Sequence, residues 1–194
     1  MGFLAVLRKV KQKEKEIRLL LVGLDNAGKT TVVKRINGEP IDSISPTLGF
    51  DIRTLKSKGA GDEQFNVSVW DVGGQGTIRS YWRNYFESTD GVVWVVDAAD
   101  PSRVAQSAAE LSALLGAEKL AGASLLVLAN KADLVPPEEV GRVEAEVSRC
   151  VLAGLEGTGR HWQTARCSAV TGVGLESAFH WVIADIAARI FMFD

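Results

Sequence analysis

One stretch of the chain has the residue types and the spacing of a phosphate-binding loop. Residues 23–30 read Gly-Leu-Asp-Asn-Ala-Gly-Lys-Thr, which matches the pattern G-x-x-x-x-G-K-[ST] between an apolar run and a helix-like segment. The two glycines let backbone N–H groups curl around phosphates, and the start of the helix adds positive potential. We expect Lys29 to reach the β- and γ-phosphates and Thr30 to bind Mg²⁺. The alternative is a glycine turn that matches the pattern by accident.

A carboxylate follows the alternating apolar residues of a second predicted strand. Asp71 opens the sequence Asp-Val-Gly-Gly-Gln directly after residues 65–70. Ligand chemistry in α/β sheets collects at the carboxyl ends of strands. We therefore expect Asp71 to hold Mg²⁺, through a water molecule.

A third loop carries the residue types that distinguish guanine from other bases. Residues 130–133 read Asn-Lys-Ala-Asp after another apolar strand. The carboxylate of Asp133 can accept two hydrogen bonds from guanine N1–H and its exocyclic amine, which adenine cannot offer, and Lys131 would lay its stem along the ring. Taken alone, the tetrapeptide would be a polar turn that caps a helix. Its occurrence beside a phosphate loop favours a guanine site.

The elements that must position these loops alternate between strand and helix patterns. We predict strands at residues 17–24, 50–55, 65–70, 91–97, 124–129 and 164–168. We predict helices that end near Asn37, that span 101–119, that run from Pro136 to about Val151, and that end near Phe193. The order predicts an α/β fold with a mainly parallel six-stranded sheet, helices on both faces and one antiparallel edge hairpin.

Composition excludes several classes of protein. The chain has 194 residues and a net charge of -2, which suits one domain and gives no reason to expect nucleic acid as a partner. Cys150 and Cys167 lack metal-ligand spacing and are expected to pack in the core. No apolar run is long enough to cross a membrane, and we expect a cytoplasmic monomer.

Residues 1–16 form a separate N-terminal segment in this interpretation, with the nucleotide-binding domain over residues 17–194. Residues 1–10 predict a short amphipathic helix, followed by a charged linker. The helix could lie weakly on a bilayer or fold back into a groove of its own domain. Val6 stands where the myristoylation pattern at Gly2 wants Ser or Thr, so we expect no lipid there.

The order of these motifs resembles that of one family of nucleotide-binding proteins. Residues 24–27, 70–75 and 81–86 are similar to segments specific to the Arf-family small GTPases, and the resemblance covers essentially the whole chain. Within the family the chain is most similar to the Arf-like 2 type, with the Arf-like 3 type as nearest competitor; the narrower resemblance rests on residues 45–50, 80–91, 161–162, 167–172 and 189–191. It implies a P-loop NTPase of the small G-domain type that binds GTP, GDP and Mg²⁺.

The resemblance assigns roles to residues that the local patterns leave open. It implies that Thr47 completes the Mg²⁺ shell with Thr30 and Asp71, that the Gly74 N–H contacts the γ-phosphate, and that Gln75 orients the attacking water as the catalytic residue. The expected phosphate-binding residues are Gly23, Leu24, Asp25, Asn26, Ala27, Gly28, Lys29, Thr30, Thr31, Thr47 and Gly74. The expected guanine-binding residues are Asn130, Lys131, Asp133, Ser168, Ala169 and Val170, with the Ala169 N–H reading the guanine oxygen.

The resemblance also implies how the bound nucleotide would change the surface that partners bind. Phe50, Trp70 and Tyr85 would form an effector surface, although aromatic residues at such positions are as often core. The hairpin would slide by two residues on GTP loading and displace the N-terminal helix, and residues 59–63 make its turn longer than the family pattern. No arginine lies within residues 38–50 to assist hydrolysis in cis, so we expect slow hydrolysis and an activating partner.

The cellular role has two competing interpretations. One is a GTP-hydrolysing switch that binds tubulin-folding cofactors and prenyl-binding solubilising chaperones, with exchange and activating factors. The other is a poorly hydrolysing GTP-bound scaffold in tubulin assembly. A cytoskeletal, centrosomal or mitochondrial subpopulation, and a ciliary cargo-release role of the Arf-like 3 type, follow from the resemblance as further alternatives.

Overall fold

The structure is a computed structural model that describes residues 15–58, 64–153, 155 and 158–191. Six strands and five α-helices alternate along this part of the chain: β1 (Glu16–Gly23), α1 (Lys29–Ile36), β2 (Phe50–Lys58), β3 (Gln64–Val72), α2 (Gly76–Arg79), β4 (Gly91–Asp97), α3 (Val104–Leu115), β5 (Ser124–Asn130), α4 (Val140–Leu152), β6 (Trp162–Arg166) and α5 (Leu175–Phe191). Short 3-10 turns occupy Trp82–Tyr85, Pro101–Arg103, Glu118–Leu120 and Ala132–Leu134. None of these helices combines the length and the apolar character needed to cross a bilayer.

The sheet has the strand order β2-β3-β1-β4-β5-β6. The β2–β3 pair is antiparallel and every other neighbouring pair is parallel. The predicted fold class is therefore confirmed, including the antiparallel edge. Strand order reverses around β1, whose neighbours are β3 on one side and β4 on the other, and such switch points open a crevice at the carboxyl ends of the strands.

Both faces of the sheet are buried, which explains why the central strands are continuously apolar. In β1, Leu19 and Leu21 face one core together with residues of α1 and α5, whereas Leu20 and Val22 face a second core beneath α3 and α4. Trp94 of β4 is fully buried in this second core, and its indole N–H donates to Ser107 Oγ of α3 at 3.0 Å. The two cores hold the strand ends, and therefore the loops, in fixed relative positions.

Two predicted helix boundaries are wrong. The helix predicted over 101–119 is a 3-10 turn followed by α3, which ends at Leu115 because Gly116, a poor helix former, caps it. The helix predicted from Pro136 begins only at Val140. A residue before proline is pushed out of the helical region, so Pro136 and Pro137 form a turn instead, closed by the Glu139 N–H and Pro136 O at 2.9 Å.

The last strand is also displaced from its predicted position at 164–168. β6 spans Trp162–Arg166 because it pairs with β5 from Leu125 to Ala129, which sets its register. The predicted N-terminal helix, the hairpin turn at 59–63 and the end of the last helix near Phe193 lie outside the described residues.

Candidate functional site

The phosphate loop is a tight turn between β1 and α1. Gly28 caps α1 with φ +90°, and a Cβ there would lie 2.4 Å from Asn130 Nδ2, so no side chain is tolerated. The Asn130 side-chain amide donates to Ala27 O at 2.9 Å and fixes the loop from the far side. The end of β5 therefore holds one side of the phosphate loop in place.

Lys29 lies inside this loop, with its side chain curled back over it. Its ammonium donates to Gly23 O at 3.1 Å and to Leu24 O at 2.8 Å, and the residue is only 6% exposed. Burial lowers the pKa of the Lys29 ammonium to about 8, although the charge of Asp71 opposes that shift. A phosphate in the loop would supply the negative partner that favours the charged form.

Three side chains from three different elements meet beside Lys29. Thr30 of α1 donates its hydroxyl to Asp71 Oδ2 at 2.7 Å, and Thr47 Oγ1 lies 2.7 Å from Thr30 Oγ1. Thr47 Oγ1 is also 3.4 Å from the same Asp71 oxygen. The residues that sequence reasoning proposed for Mg²⁺ are thus brought together at one point.

The chemistry of this group suits Mg²⁺. Asp71 is 1% exposed, and no described residue donates a hydrogen bond to its Oδ1 atom. Burial raises the pKa of the Asp71 carboxyl, and the Thr30 hydroxyl is the first of the contacts that oppose the shift. Two hydroxyls and one carboxylate are few ligands, as expected for an ion that keeps several waters and binds substrate phosphates. Among the described residues no group of three or more His, Cys, Asp or Glu could hold a metal ion.

The loop after β3 rests directly on the phosphate loop. A Cβ on Gly74 would lie 2.4 Å from Gly23 O and 2.5 Å from Asp25 N, so only glycine allows this approach. The Gly73 N–H donates to Gly49 O at 2.9 Å, which joins the loop to residues just after Thr47. The loop after β3 and the segment around Thr47 are therefore both closed over the phosphate loop.

A cavity of about 390 Å³ lies between these segments. Its walls include residues 28–31, residues 44–47, residues 73–75 and Lys131. The half-buried Gln75 caps the first turn of α2 at the edge of this cavity. Gln75 and Lys29 therefore border the same cavity, into which the phosphates of a nucleotide in the loop would point.

The expected guanine residues lie around the ends of β5 and β6. Asn130 is 1% exposed, and its side-chain oxygen accepts a hydrogen bond from the Ala169 N–H at 2.9 Å. The N–H that we expected to bind the guanine oxygen is therefore hydrogen-bonded to Asn130 in this structure. Lys131 has φ +64°, and its ammonium pairs with Asp97 Oδ2 at 2.7 Å. Asp133 is exposed, as a carboxylate that meets an incoming base must be.

The neighbouring loop completes this side of the site. Ser168 is buried, and its hydroxyl accepts the Thr171 N–H at 3.0 Å, while Val170 is 57% exposed. Arg35 of α1 donates to the carbonyls of Ala169 and Val170. Hydrogen bonds from Arg35 therefore connect the loop after β6 to α1.

Phe50, Trp70 and Tyr85 form one aromatic cluster. The Phe50 and Trp70 rings stack at 5.7 Å, and Tyr85 lies 5.1 Å from Phe50 and 5.9 Å from Trp70. Phe50 is 48% exposed, whereas the other two are half-buried. The Arg18 guanidinium lies 3.7 Å from the Trp70 ring centroid. The cluster therefore has a packed base and an exposed edge.

Sequence reasoning missed several charged residues of the site. Arg79 and Arg103 both reach the Asp25 carboxylate, and Asp97 pairs with Lys131. Asp97 could have been found, because it ends a buried strand next to β5. The arginines carry no local signal, since only the tertiary fold brings them to the phosphate loop.

The fold and the loops at the carboxyl ends of its strands define a P-loop nucleotide-binding protein of the small GTPase class. Comparison with known proteins narrows this class. The chain belongs to the ADP-ribosylation factor family, whose profile matches residues 3–186. It is accordingly an Arf-like GTP-binding switch, from a family of GTP hydrolases that use GTP, GDP and typically Mg²⁺.

Individual relatives agree with the type inferred from the sequence. The chain is 56% identical to ADP-ribosylation factor-like protein 2 of Drosophila melanogaster over 194 residues and 52% identical to that of Arabidopsis thaliana over 197, with 100% of each chain covered. Its identity to ADP-ribosylation factor-like protein 3 of Chlamydomonas reinhardtii is 44% over 186 residues, which cover 96% of this chain and 99% of the relative. The resemblance to the Arf-like 2 type is confirmed.

A solved structure supports the fold. The small GTPase Arl6 (BBS3) of Trypanosoma brucei, determined with the bound nucleotide analogue GppNp, superimposes with a TM-score of 0.73 at 26% identity. The match covers 90% of this chain and 99% of that chain. The fold described above is therefore that of a small GTPase.

Binding of a nucleotide should change the protonation of Lys29. At about pH 8 the buried ammonium of the nucleotide-free protein is about half deprotonated, and phosphate favours its charged form. Binding should therefore take up about half a proton there, and affinity should fall as the pH rises further. Calorimetry in two buffers of different ionisation enthalpy measures this uptake. A Lys29→Arg variant, which keeps its charge, should show none; equal heats in both buffers for the unmodified chain would rule out the assignment.

Proposed function

We propose that this chain is a GTP-hydrolysing switch whose two states differ at the Thr30–Thr47–Asp71 group, with Mg²⁺ held there and the γ-phosphate beside Gly74. The proposal is carried by one observation, the convergence of two hydroxyls and a buried carboxylate next to Lys29. Mg²⁺ at this group would neutralise charge on the β- and γ-phosphates. The protein's own contribution is to orient the phosphates and the attacking water.

Most of the predicted site residues keep their roles in this proposal, and Asn130 is the exception. The phosphate loop binds the phosphates, Thr30, Thr47 and Asp71 hold the ion, and Gln75 orients the attacking water. Asp133 and Lys131 select and cover guanine, while Asn130 acts mainly by holding Ala27 and Ala169 in place. The nucleotide-binding domain of this proposal spans residues 17–194 together with Glu16, which pairs with Asn66 as the first residue of β1 and so moves the proposed boundary by one residue. The displaceable N-terminal segment precedes Glu16.

The two-residue hairpin slide is part of the proposal because it would separate these groups. Leu21 of β1 is paired with Asp71 of β3. A slide of two residues moves β3 by roughly 7 Å along β1 and keeps every side chain on its face. Asp71 and Gly74 would then leave the phosphate loop together. The register described here is the one that brings them to it.

Substitution of Gln75 should slow hydrolysis without weakening nucleotide binding. Gln75→Leu removes the amide that orients water, and misplacement of a reacting group costs about 10²-fold in rate. Single-turnover GTP hydrolysis, with GTP and GDP affinities measured alongside, gives both quantities. Thr77→Ala, on the exposed side of the same short helix, is the matched control and should hydrolyse GTP normally. Unchanged hydrolysis by Gln75→Leu would remove Gln75 from the mechanism.

We further propose that the GTP form binds prenyl-binding solubilising chaperones and tubulin-folding cofactors, and that activating and exchange factors set its cycle in the cytoplasm. The support is the similarity to Arf-like 2 relatives together with the exposed edge of the aromatic cluster. The competing scaffold function predicts binding that does not depend on the nucleotide.

Calorimetry with a prenyl-binding chaperone separates these two functions. The switch predicts at least tenfold tighter binding to protein loaded with a non-hydrolysable GTP analogue than with GDP, because a ligand shifts two states only by its differential affinity. Phe50→Ala should weaken the GTP-form complex by about tenfold or more, as exposed aromatic anchors do. Val173→Ala, which is exposed elsewhere on the molecule, is the control. Equal affinity for both forms would favour the scaffold.

A further inference from the structure

Asp25 places a carboxylate inside the phosphate loop, where a nucleotide would bring more negative charge. It lines the same cavity as Lys29 and Thr30. Its Oδ1 atom accepts from Arg103 at 2.8 Å and from Arg79 at 3.3 Å, and Arg103 also donates to the Asp25 backbone carbonyl at 3.1 Å. The hydrogen bond from Arg103 is the main reason that the pKa of Asp25 lies below its ordinary value. The carboxylate is therefore charged, and it is held by two arginines.

Arg79 is the more unusual of these two arginines because it joins three separate elements. Its Nε donates to Gly74 O at 2.9 Å, one terminal nitrogen donates to Glu110 Oε1 of α3 at 2.6 Å, and the other reaches Asp25. Its side chain is only 13% exposed. A planar guanidinium has its donors in a fixed fork, so it can satisfy all three acceptors only when they keep one relative position.

That position is the one in which Gly74 rests on the phosphate loop. The backbone of Gly74 approaches Gly23 and Asp25 so closely that a Cβ would clash with both. If Gly74 withdrew from the loop, its carbonyl would leave Arg79 or pull Arg79 away from Asp25. The guanidinium would then lose at least one charge-assisted hydrogen bond in a largely dry environment.

We propose that Arg79 is a positioning residue that stabilises the γ-phosphate-bound state selectively, by locking the Gly74 carbonyl to Asp25 of the phosphate loop and to Glu110 of α3. This inference rests on the proposed function, in which Gly74 contacts the γ-phosphate and withdraws after hydrolysis. Arg79 does not line the cavity at the phosphate loop. It holds the segment that does, and it places α2, whose first residue follows Gln75.

The set of contacts that Arg79 makes with Gly74, Asp25 and Glu110, which we call the lock, also links α3 to the nucleotide state. Glu110 is paired with Arg79 in the state described here, and both residues line a groove of about 900 Å³ beside Trp82 and Leu114. When Gly74 moves, the pairing of Glu110 changes with it. The lining of the groove between α2 and α3 should therefore differ between the protein with a γ-phosphate bound and the protein without one.

The test compares the release of two nucleotides from the full-length, Mg²⁺-loaded protein. Dissociation of a fluorescent GDP and of a fluorescent non-hydrolysable GTP analogue is followed for the unmodified chain, for Arg79→Met and for Glu110→Gln. We expect Arg79→Met to release the GTP analogue about tenfold faster or more, because charge-assisted bonds are lost in that state only, and to change GDP release by less than about twofold. Glu110→Gln should act in the same direction and more weakly.

One double variant and two further single variants show whether the effect comes from the contacts of Arg79. If the two residues act through one contact, Arg79→Met with Glu110→Gln should release the analogue no faster than Arg79→Met alone. Arg79→Lys keeps the charge but not the fork, so it should restore only part of the lifetime. Arg83→Met, which removes an exposed arginine from the next turn, is the matched control and should behave as the unmodified chain.

The outcomes separate this inference from the proposed function. Equal acceleration of GDP and analogue release by Arg79→Met would mean a general structural role, and no acceleration would mean that the contacts carry no coupling; either result overturns the lock. Failure of the unmodified chain to bind guanine nucleotides would instead overturn the proposed function. A loss confined to the GTP analogue, with normal release from Arg83→Met, establishes the lock.

Discussion

The hydrogen bond between Thr30 and Asp71 joins the start of α1 to the end of β3, and the site depends on it. Asp71 is buried, and a buried carboxylate is stable only if it is hydrogen-bonded or paired with a cation. Here one oxygen faces the Thr30 and Thr47 hydroxyls and the other is unsatisfied by the described residues. The buried charge is therefore a reason for the loops to close and also a reason for a cation to enter.

The contact between Thr30 and Asp71 is possible because the parallel strands all have their carboxyl ends at the same edge of the sheet. Asn130 adds a second connection there, since one side chain binds Ala27 of the phosphate loop and the Ala169 N–H of the loop after β6. Residues near the phosphates and residues near the base are thus parts of one hydrogen-bonded unit. Removal of a partner from such a unit leaves a buried polar group unpaired, which costs more than the bond itself contributes.

The nucleotide-binding loops could be read from the sequence because each lies at the end of a strongly apolar strand and has its own composition. The phosphate loop, Asp71 and residues 130–133 carry local signals of this kind. The contacts that Arg79 makes could not be read in this way, since Asp25, Gly74 and Glu110 are distant in sequence and meet only in the tertiary fold. The helix predicted from Pro136 failed for a local reason, because two successive prolines favour a turn over a helical start. The hydrogen bond from the Ala169 N–H to Asn130 also needed coordinates, because the end of β5 and the loop after β6 are distant in sequence.

In the proposed switch, Thr47 joins the Mg²⁺ site in the GTP state and leaves it in the GDP state. The most direct measurement is the Mg²⁺ affinity of the Thr47→Ala protein, loaded either with a non-hydrolysable GTP analogue or with GDP. We expect the variant to lose about 10- to 100-fold in Mg²⁺ affinity when it is loaded with the GTP analogue and to be unchanged when it is loaded with GDP. Equal loss in both forms, or no loss in either, would contradict it.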